Sequence, residues 1–174
     1  MNQETIQIKD NPMRQIRIEK VLLSAGGTDK ELEKSAKLLK LISGMKPQII
    51  ASTKRIPDFN VSPGLQVGAR VTIRGKKSID LLKNFLTVLD NTLRKKQVSE
   101  NHFSFGIKEY IEIPGMEYQR EIGIKGFNVT VVFVRPGLRI KRKKIKSGKV
   151  PKKQNIPEQE IITFMEENFS TSFV

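Results

Sequence analysis

The stretch ARVTIRGKKSIDLLKNFLTVLDNTL, residues 69–93, contains the two patterns that decide the fold. Ala69, Val71 and Ile73 alternate with polar residues, which is typical of a strand with one buried face. From residue 78 onward, apolar residues recur every three or four positions, and this spacing predicts a helix over residues 78–93. Its predicted buried side consists of Ile79, Leu82, Phe85, Leu86, Leu89 and Leu93. We expect this helix to cover one side of a sheet and to leave the other side open to a ligand.

Similar patterns on either side extend this strand and helix into an α+β fold. Alternating or β-branched residues predict further strands over residues 16–23, 48–54, 102–107 and 127–134. Helical spacing predicts further helices over residues 29–42 and 157–169. The strand at 127–134 is partly apolar on both faces, so we expect it to be central. Lys95 and Lys96 carry charges that favour a helix C-terminus, and we expect them to close the helix at 78–93.

The length favours a single domain over residues 1–174, because one sizeable core accounts for most of the apolar residues. Its expected parts are an N-terminal leader (1–13), an α+β core (14–134), a basic extension (135–156) and a docked C-terminal helix (157–169). Two loops, at 55–68 and 116–126, are expected to protrude. The first is long and contains apolar residues, which favours a loop that docks on a partner.

A glycine pair stands between the first strand and the first helix. Gly26 and Gly27 end the strand, and Thr28 with Glu31 matches a capping box at the start of the helix. A glycine pair before a helix can cradle a phosphate, and it can equally make a tight turn. No G-K-[ST] sequence follows, so the pair is not part of a nucleotide-binding P-loop.

Composition excludes several classes of protein. No apolar run in the 174 residues approaches the roughly 20 residues that span a bilayer. The N-terminus is polar and lacks the apolar segment of a secretory signal, so we expect the protein to stay in the cytoplasm. The chain has no cysteine and a single histidine, His102. We therefore expect no disulfide, no Cys- or His-based metal site and no cofactor.

The strongest functional signal is the charge of the C-terminal third. Eleven basic residues and no acidic residue lie between residues 122 and 157, in a chain of net charge +14. Such a density of cations repels itself, and a polyanion that neutralises it releases counterions on binding. RNA or DNA is therefore the first candidate partner. A disordered solubilising arm is the alternative, although a good strand enters this run and an amphipathic helix follows it.

The outer face of the strand at 69–74 is a second candidate contact. Arg70, Thr72 and Arg74 alternate with the apolar residues and should share this face. Two arginines flanking a threonine suit phosphate and 2'-hydroxyl groups of RNA. A plain solvent-exposed face has the same pattern.

Two functions of other classes fit the sequence less well. A metal-dependent nuclease needs clustered carboxylates, yet Asp58, Asp80 and Asp90 are spread over a loop and a helix. His102 has no partner suited to nucleophilic catalysis, so we predict that the protein is not an enzyme. A freestanding nucleic-acid chaperone would share the basic extension, and it would bind RNA and DNA without regard to sequence.

Four segments together resemble one protein family. They are NPMRQIRIEKV at 11–21, SGMKP at 43–47, ARVTIRG at 69–75 and NHFSFGIKEYIEIPGMEYQREIGIKGFNVTVVFVRPG at 101–137. Their order and spacing are similar to those of the universal large-subunit ribosomal protein family numbered five in bacteria and archaea, whose eukaryotic counterpart is numbered eleven. The NPMR opening and the VRPGLRIKRKK segment resemble the archaeal and eukaryotic branch.

The resemblance implies an antiparallel sheet backed by helices, with a 5S rRNA site on its open face. It implies a structural constituent of the large ribosomal subunit that lies in the central protuberance and acts in translation. The implied partners are 5S rRNA, large-subunit rRNA, P-site tRNA, neighbouring proteins of the central protuberance and a protein of the small-subunit head. We expect no membrane partner and no homo-oligomer.

Three groups of residues are candidate contacts. The candidate rRNA-binding residues outside the basic segment are Arg14, Arg17, Lys20, Ser24, Lys46, Lys54, Arg70, Thr72 and Arg74. Those within it are Arg135, Arg139, Lys141, Arg142, Lys143, Lys144, Lys146, Lys149, Lys152 and Lys153. The tRNA-facing loop of the family corresponds to Arg55, Phe59, Asn60, Val61, Ser62, Pro63 and Gly64. The small-subunit-facing loop corresponds to Tyr118, Gln119, Arg120 and Lys125.

Several positions depart from the family pattern. The family's Asn-x-Gly-x-Gly is here SAGG at 24–27, and its Gly-Gln-Lys-Pro is GMKP at 44–47, so a side-chain amide is lost. Its Phe-Gly-Ile-Arg is FNVS at 59–62. The tRNA contact is therefore expected to depend on the preceding basic residues and on backbone groups. The family's Tyr-Asp-Pro is YQR at 118–120, which changes the charge of the small-subunit-facing loop.

Overall fold

The chain folds around one six-stranded sheet in the computed structural model, which describes residues 11–174. The strands of this sheet are β1 (Arg17–Gly26), β2 (Gln48–Ala51), β3 (Gln66–Ile73), β5 (Val98–Ser99), β6 (His102–Ile107) and β7 (Phe127–Val134). They lie in the order β2-β3-β1-β7-β6-β5, and each neighbouring pair is antiparallel. Two short strands, β4 (Thr92–Leu93) and β8 (Ser172–Phe173), form a separate parallel pair. Most of the predicted leader lies outside the described residues.

Three longer helices and one short helix accompany the sheet. They are α1 (Asp29–Ser43), α2 (Lys76–Val88), the single turn α3 (Arg139–Arg142) and α4 (Glu158–Phe169). α1 ends at Ser43, one residue beyond the predicted range, and the following Gly44 takes a left-handed conformation and donates its N–H to the Lys40 carbonyl oxygen at 2.8 Å. The predicted α+β class, with an antiparallel sheet, is confirmed.

The core lies between the helices and one face of the sheet. Alternate residues of β1, β3, β6 and β7 point into it and join the buried faces of α1, α2 and α4 in one apolar cluster. Phe103 stacks on Phe105 and Phe133 at ring-centroid distances of 5.8 and 5.7 Å, and Phe85 of α2 meets Phe127 edge to face at 5.6 Å. Each such buried side chain stabilises the fold by about 1.5–3 kcal/mol.

β7 is central, as its two-sided apolar pattern predicted. It lies between β1 and β6, where Val131 is opposite Val21 on one side and Phe103 on the other. The main chain therefore leaves the middle of the sheet at Val134 and enters the basic extension directly.

The prediction for the end of α2 was wrong. The helix ends at Val88, five residues before Leu93, and Asp90 and Asn91 take positive φ angles of 51° and 54°. Leu93 is buried instead in β4, which pairs with the last residues of the chain. Lys95 and Lys96 consequently lie in a separate 3-10 turn and do not close the helix.

Three smaller expectations were also wrong. The Thr28 side chain makes no capping hydrogen bond, so the predicted capping box is absent at this helix start. β2 ends at Ala51, before residue 54. β3 begins at Gln66, which shortens the predicted loop at its C-terminal end, and Pro57–Phe59 of that loop form a 3-10 turn closed by a bridge between Ile56 and Val61.

Candidate nucleic-acid interface

The side of the sheet opposite the core carries the candidate RNA-binding residues. The register places Gln48, Arg70, Ser24, Asn128 and Gly106 side by side on five successive strands. We call this set the polar row. Neighbouring strands are about 4.8 Å apart, so the row spans roughly 19 Å across the sheet. It presents amides, a hydroxyl and a guanidinium along one line.

Local geometry orients the polar side chains near each end of the polar row. Arg70 Nε donates to Gln48 Oε1 at 3.1 Å, which orients the guanidinium toward β2. At the other end, a Cβ atom at Gly106 would lie 3.2 Å from Asn128 Oδ1, so the missing side chain leaves room for the Asn128 amide. Arg70 and Asn128 remain exposed, and Ser24 is half-buried between them.

A second line of residues runs beside the polar row. Thr72, Leu22, Thr130 and Ser104 are neighbours on four strands. Thr72 and Ser104 are exposed, while Leu22 and Thr130 are half-buried. The helices pack on the opposite side, so the polar row and this second line are uncovered in the part of the chain that the structure describes, as predicted.

Sequence reasoning missed Gln48 of the polar row and three polar residues on β6 and β7. Asn128, Thr130 and Ser104 alternate with buried residues of β7 and β6. The signal was present as a period of two, but the valines that follow in β7 made both of its faces look apolar. Only the strand order shows that these polar groups continue the surface of Arg70 and Thr72.

The remaining predicted sheet contacts lie around the margin of this face. Arg17 starts β1 opposite Val134, and Lys20 lies opposite Val132. Arg14 lies in the 3-10 turn Pro12–Arg14, which Asn11 caps by accepting the Met13 N–H at 3.0 Å. Three further exposed residues lie outside the strands: Lys46, Lys54 and Arg74. The structure therefore does not bring all nine predicted residues into one cluster.

The basic extension folds back toward the start of β1. Arg142 forms an ion pair with Glu19 of β1, and Gln154 Nε2 donates to the Pro136 carbonyl oxygen at 2.8 Å. Its exposed cations are Arg139, Lys141, Arg142, Lys143, Lys144, Lys146, Lys149, Lys152 and Lys153. The extension is thus attached to the sheet while most of its charge faces outward.

Arg135 differs from the other basic residues of this run. Its side chain is only 4% exposed and pairs with Glu160 of α4. Arg135 Nε is buried and has no hydrogen-bond partner among residues 11–174. The guanidinium therefore connects the end of β7 to α4, and it is not on the outer surface where a backbone phosphate would approach.

The predicted tRNA-facing loop is an ordered hairpin. Ser52 donates its N–H to the Leu65 carbonyl oxygen and accepts the Gly64 N–H, both at 2.8 Å. Phe59 at its tip is 74% exposed, whereas Val61 is buried. Val61 therefore supports the loop from inside and does not lie on its outer surface. The exposed candidates in the hairpin are Arg55, Phe59, Asn60, Ser62, Pro63 and Gly64.

The predicted small-subunit-facing loop is attached to α1 at two points. Lys125 Nζ donates to the Glu31 carbonyl oxygen, and Lys37 Nζ pairs with Glu121, both at 2.7 Å. Burial lowers the pKa of Lys125; the Glu31 carboxylate opposes this shift. Tyr118, Gln119 and Arg120 stay exposed, and the Gln119 N–H is held by the Tyr110 hydroxyl oxygen at 2.8 Å.

The pKa of Glu121 is lowered mainly by its hydrogen bond to Lys37 and also by the positive charge of Lys37. The same pair raises the pKa of Lys37. Both groups are at the surface, so the pair orients the loop more than it stabilises the fold. Sequence reasoning missed this contact, because the two residues lie 84 positions apart.

Two further features of residues 11–174 bear on other chemistries. No group of three or more His, Cys, Asp or Glu side chains within residues 11–174 is placed to hold a metal ion. No helix in this part of the chain is both long enough and apolar enough to cross a membrane.

Comparison with known proteins gives consistent relatives. A family model for the C-terminus of the ribosomal uL5 family matches residues 66–163. A Nanoarchaeum equitans protein named large ribosomal subunit protein uL5 is 37% identical over 168 residues, which is 95% of this chain and 99% of that protein. Proteins of the same name from Sulfurisphaera tokodaii and Archaeoglobus fulgidus are each 35% identical, over 94% and 90% of this chain and 95% and 89% of their own lengths.

Proposed function

The chain belongs to the ribosomal uL5 family, and from this membership we propose that it is a structural, non-enzymatic constituent of the large ribosomal subunit in the cytoplasm. Within the subunit it binds rRNA. The finer proposal is that its open face binds 5S rRNA and anchors it in the central protuberance. The observation that carries this proposal is the polar row on the uncovered side of the sheet.

The chemistry of the polar row suits RNA better than a protein partner. Hydroxyl and amide groups can both donate and accept hydrogen bonds, as the 2'-hydroxyl and base edges require. The row is nearly linear, and a double-stranded RNA presents these groups in a wide, shallow minor groove. Arg70, next to Gln48 at one end of the row, adds a planar guanidinium that pairs with phosphate. Ser24 takes the place of the family's asparagine and offers a hydroxyl in the middle of the row.

The two loops are proposed contacts with mobile partners. Both lie at the end of the sheet where β1 finishes. Ile56, Phe59 and Val61 border a cavity of about 390 Å³ together with Gly27 and Thr28, which precede α1.

In the other loop, Lys125 Nζ donates to the Glu31 carbonyl oxygen of α1. One end of the molecule can therefore present the Phe59 hairpin to P-site tRNA and the Tyr118 loop to the small-subunit head. Neighbouring central-protuberance proteins are further proposed partners.

Competition binding tests the 5S rRNA proposal. We expect wild-type protein to prefer 5S rRNA over unrelated RNA of equal length at moderate salt. In the double variant Thr72→Val, Asn128→Ala, each lost hydrogen bond is worth about 1 kcal/mol, so affinity for 5S rRNA should fall by about 30-fold. Affinity for the unrelated RNA should stay the same, because phosphate contacts dominate it.

The matched control is Thr163→Val, an exposed threonine on α4 at the covered side of the sheet. It should leave both affinities unchanged. Equal affinity of the wild-type protein for 5S rRNA, unrelated RNA and DNA would instead support a freestanding chaperone.

A further inference from the structure

A cavity lies where the basic extension folds back onto the sheet. Its volume is about 480 Å³, and residues from β1, β7 and the extension line it. It is at the end of the sheet where β7 finishes, because Lys20 and Val132 on its wall are paired in the register. The polar row crosses the same strands at Ser24 and Asn128, four residues away, which is about 13 Å along a strand. The cavity is therefore a separate place on the molecule.

The wall of this cavity is strongly cationic. Lys20, Arg74, Arg135, Lys141 and Arg142 line it, against a single carboxylate, Glu19. Arg135 is only 5% exposed, and its Nε has no hydrogen-bond partner in the described part of the chain. A buried donor left unpaired costs about 1–3 kcal/mol. A ligand acceptor that reached it would recover this free energy.

Three side-chain amides add directional hydrogen bonding. Asn101 Oδ1 accepts the Ile156 N–H at 2.8 Å, which leaves the amino group of Asn101 to donate. The amino groups of Gln154 and Asn155 donate to Pro136 and Glu100, so their amide oxygens are left to accept. The cavity thus offers one amide donor and two amide acceptors whose orientations the chain already fixes.

The rest of the lining is aliphatic. Val132, Val134, Leu138 and Val150 provide apolar surface for the flat side of a ring. A guanidinium plane stacks on a base, and both Arg74 and Arg142 lie on the wall. A cavity of this size, with cations, fixed amides and apolar surface, fits a phosphate joined to a ribose and a base. It exceeds what a phosphate alone needs.

We propose that this cavity binds one unstacked nucleotide from a single-stranded segment of rRNA. The base enters between the sheet and the extension and meets the amides, while its phosphate meets the lysines and arginines at the rim. The Glu19–Arg142 ion pair holds the extension in place, so the cavity exists before RNA arrives. This proposal rests on the proposed rRNA-binding function and adds to it a second, base-reading contact about 13 Å from the polar row along the strands.

Site-directed cross-linking tests the proposal, and the absence of cysteine from the chain makes single labels simple. Val150→Cys and, independently, Leu138→Cys place a photoreactive label in the cavity, and Thr163→Cys places it on the exposed side of α4. Full-length protein is bound to total large-subunit rRNA including 5S rRNA, irradiated and mapped by reverse transcription. Both cavity labels should cross-link to the same single-stranded nucleotide, and the α4 label should not.

The substitution Asn155→Ala gives a second measurement. It should reduce the yield of that cross-link by about fivefold, the value of one hydrogen bond, whereas Thr163→Val on the exposed side of α4 should leave the yield unchanged.

Cross-links that spread over many consecutive nucleotides, or that form in equal yield with all three labels, would mean that RNA meets a simple charged surface here. Either result would overturn the cavity proposal while rRNA binding persisted. Absence of rRNA binding by the unlabelled wild-type protein would instead overturn the proposed function.

Discussion

Arg135 illustrates how one residue of a charged run can have a different role from its neighbours. It follows Val134 directly and belongs to the eleven cations of the C-terminal third. β7 ends in the middle of the sheet, so the next side chain meets α4 and not solvent. Sequence alone could place it in the run. It could not show that Glu160, 25 residues later, would pair with it.

The Arg135–Glu160 pair should stabilise the fold measurably. Glu160→Ala leaves a buried guanidinium without its partner, and we expect the free energy of unfolding in urea to fall by about 1–3 kcal/mol. Glu158→Ala is the control at the same helix end, where loss of a favourable dipole interaction should cost about 0.5 kcal/mol. If the pair is the cause, Arg135→Met should recover most of the loss in the Glu160→Ala background. Equal losses for Glu158→Ala and Glu160→Ala would contradict this account.

The Lys37–Glu121 pair predicts a pH dependence for the small-subunit-facing loop. The pKa of Glu121 is lowered from its ordinary 4.5, so its contribution is present above that value and is lost as pH falls through the lowered pKa. The pKa of Lys37 is raised from 10.5, so its contribution is present below that value and is lost as pH rises through the raised pKa. The pair should therefore hold the loop at neutral pH.

A carbon-detected NMR titration of the Glu121 carboxyl group measures this effect. Lys37→Gln removes the positive charge and replaces the ammonium donor with a shorter, neutral amide, so the pKa of Glu121 should rise toward 4.5. Lys34→Gln, a change on the same helix, should leave it where it is in the wild type. An unchanged titration curve in Lys37→Gln would show that the two side chains do not meet in solution.

At the scale of elements, periodicity was reliable wherever one face of an element is buried. The bounds of β6 and β7 match their predicted ranges, and α4 begins one residue later than predicted. The end of α2 was missed because Leu89 and Leu93 continue its spacing into the following residues. What stops the helix is not local: Leu93 pairs with Phe173, and this strand pairing at the far end of the chain draws residues 92–93 away.

The turn after α2 allows a test of where the helix ends. Asp90 takes a left-handed conformation, which glycine adopts more easily, and its negative charge lies at a helix C-terminus. Asp90→Gly should therefore raise the free energy of unfolding by about 0.5 kcal/mol. Asp80→Gly, inside α2, should lower it by about 0.3 kcal/mol, because aspartate is itself a poor helix former. The two values come from urea unfolding at neutral pH, and a loss for Asp90→Gly as large as that for Asp80→Gly would mean that residue 90 is helical.

At the scale of the whole molecule, the sheet separates three surfaces. The helices cover one face, the polar row crosses the other, and the antiparallel register puts the two loops and the basic extension at opposite ends. The sequence predicted which residues are polar and which strands they lie on. It could not predict that Gln48, Ser24 and Asn128 are neighbours, because strand order depends on pairings between distant segments. The cavity under the extension was missed for the same reason.

Because these surfaces are separate, the effect of a positive charge on RNA affinity should depend on where the charge lies and not on the total number of charges. Lys143, Lys144, Lys146 and Lys149 are exposed in the extension, while Lys30, Lys34, Lys40 and Lys83 are exposed on the helices that cover the other face. Each phosphate contact contributes about 0.7–0.9 to the slope of log affinity against log salt. If the extension engages about six phosphates, the wild-type slope should be roughly −4 to −5.

Replacing the four extension lysines with glutamine should make that slope shallower by about 3, since four contacts are lost. Replacing the four helix lysines makes the same change in net charge, but these side chains lie away from the proposed RNA, so the slope should not change. Filter binding to large-subunit rRNA over a range of salt concentrations measures both. Equal effects of the two sets would mean that the protein attracts RNA through its total charge, and the division of its surface into an RNA side and a covered side would then have no role in binding.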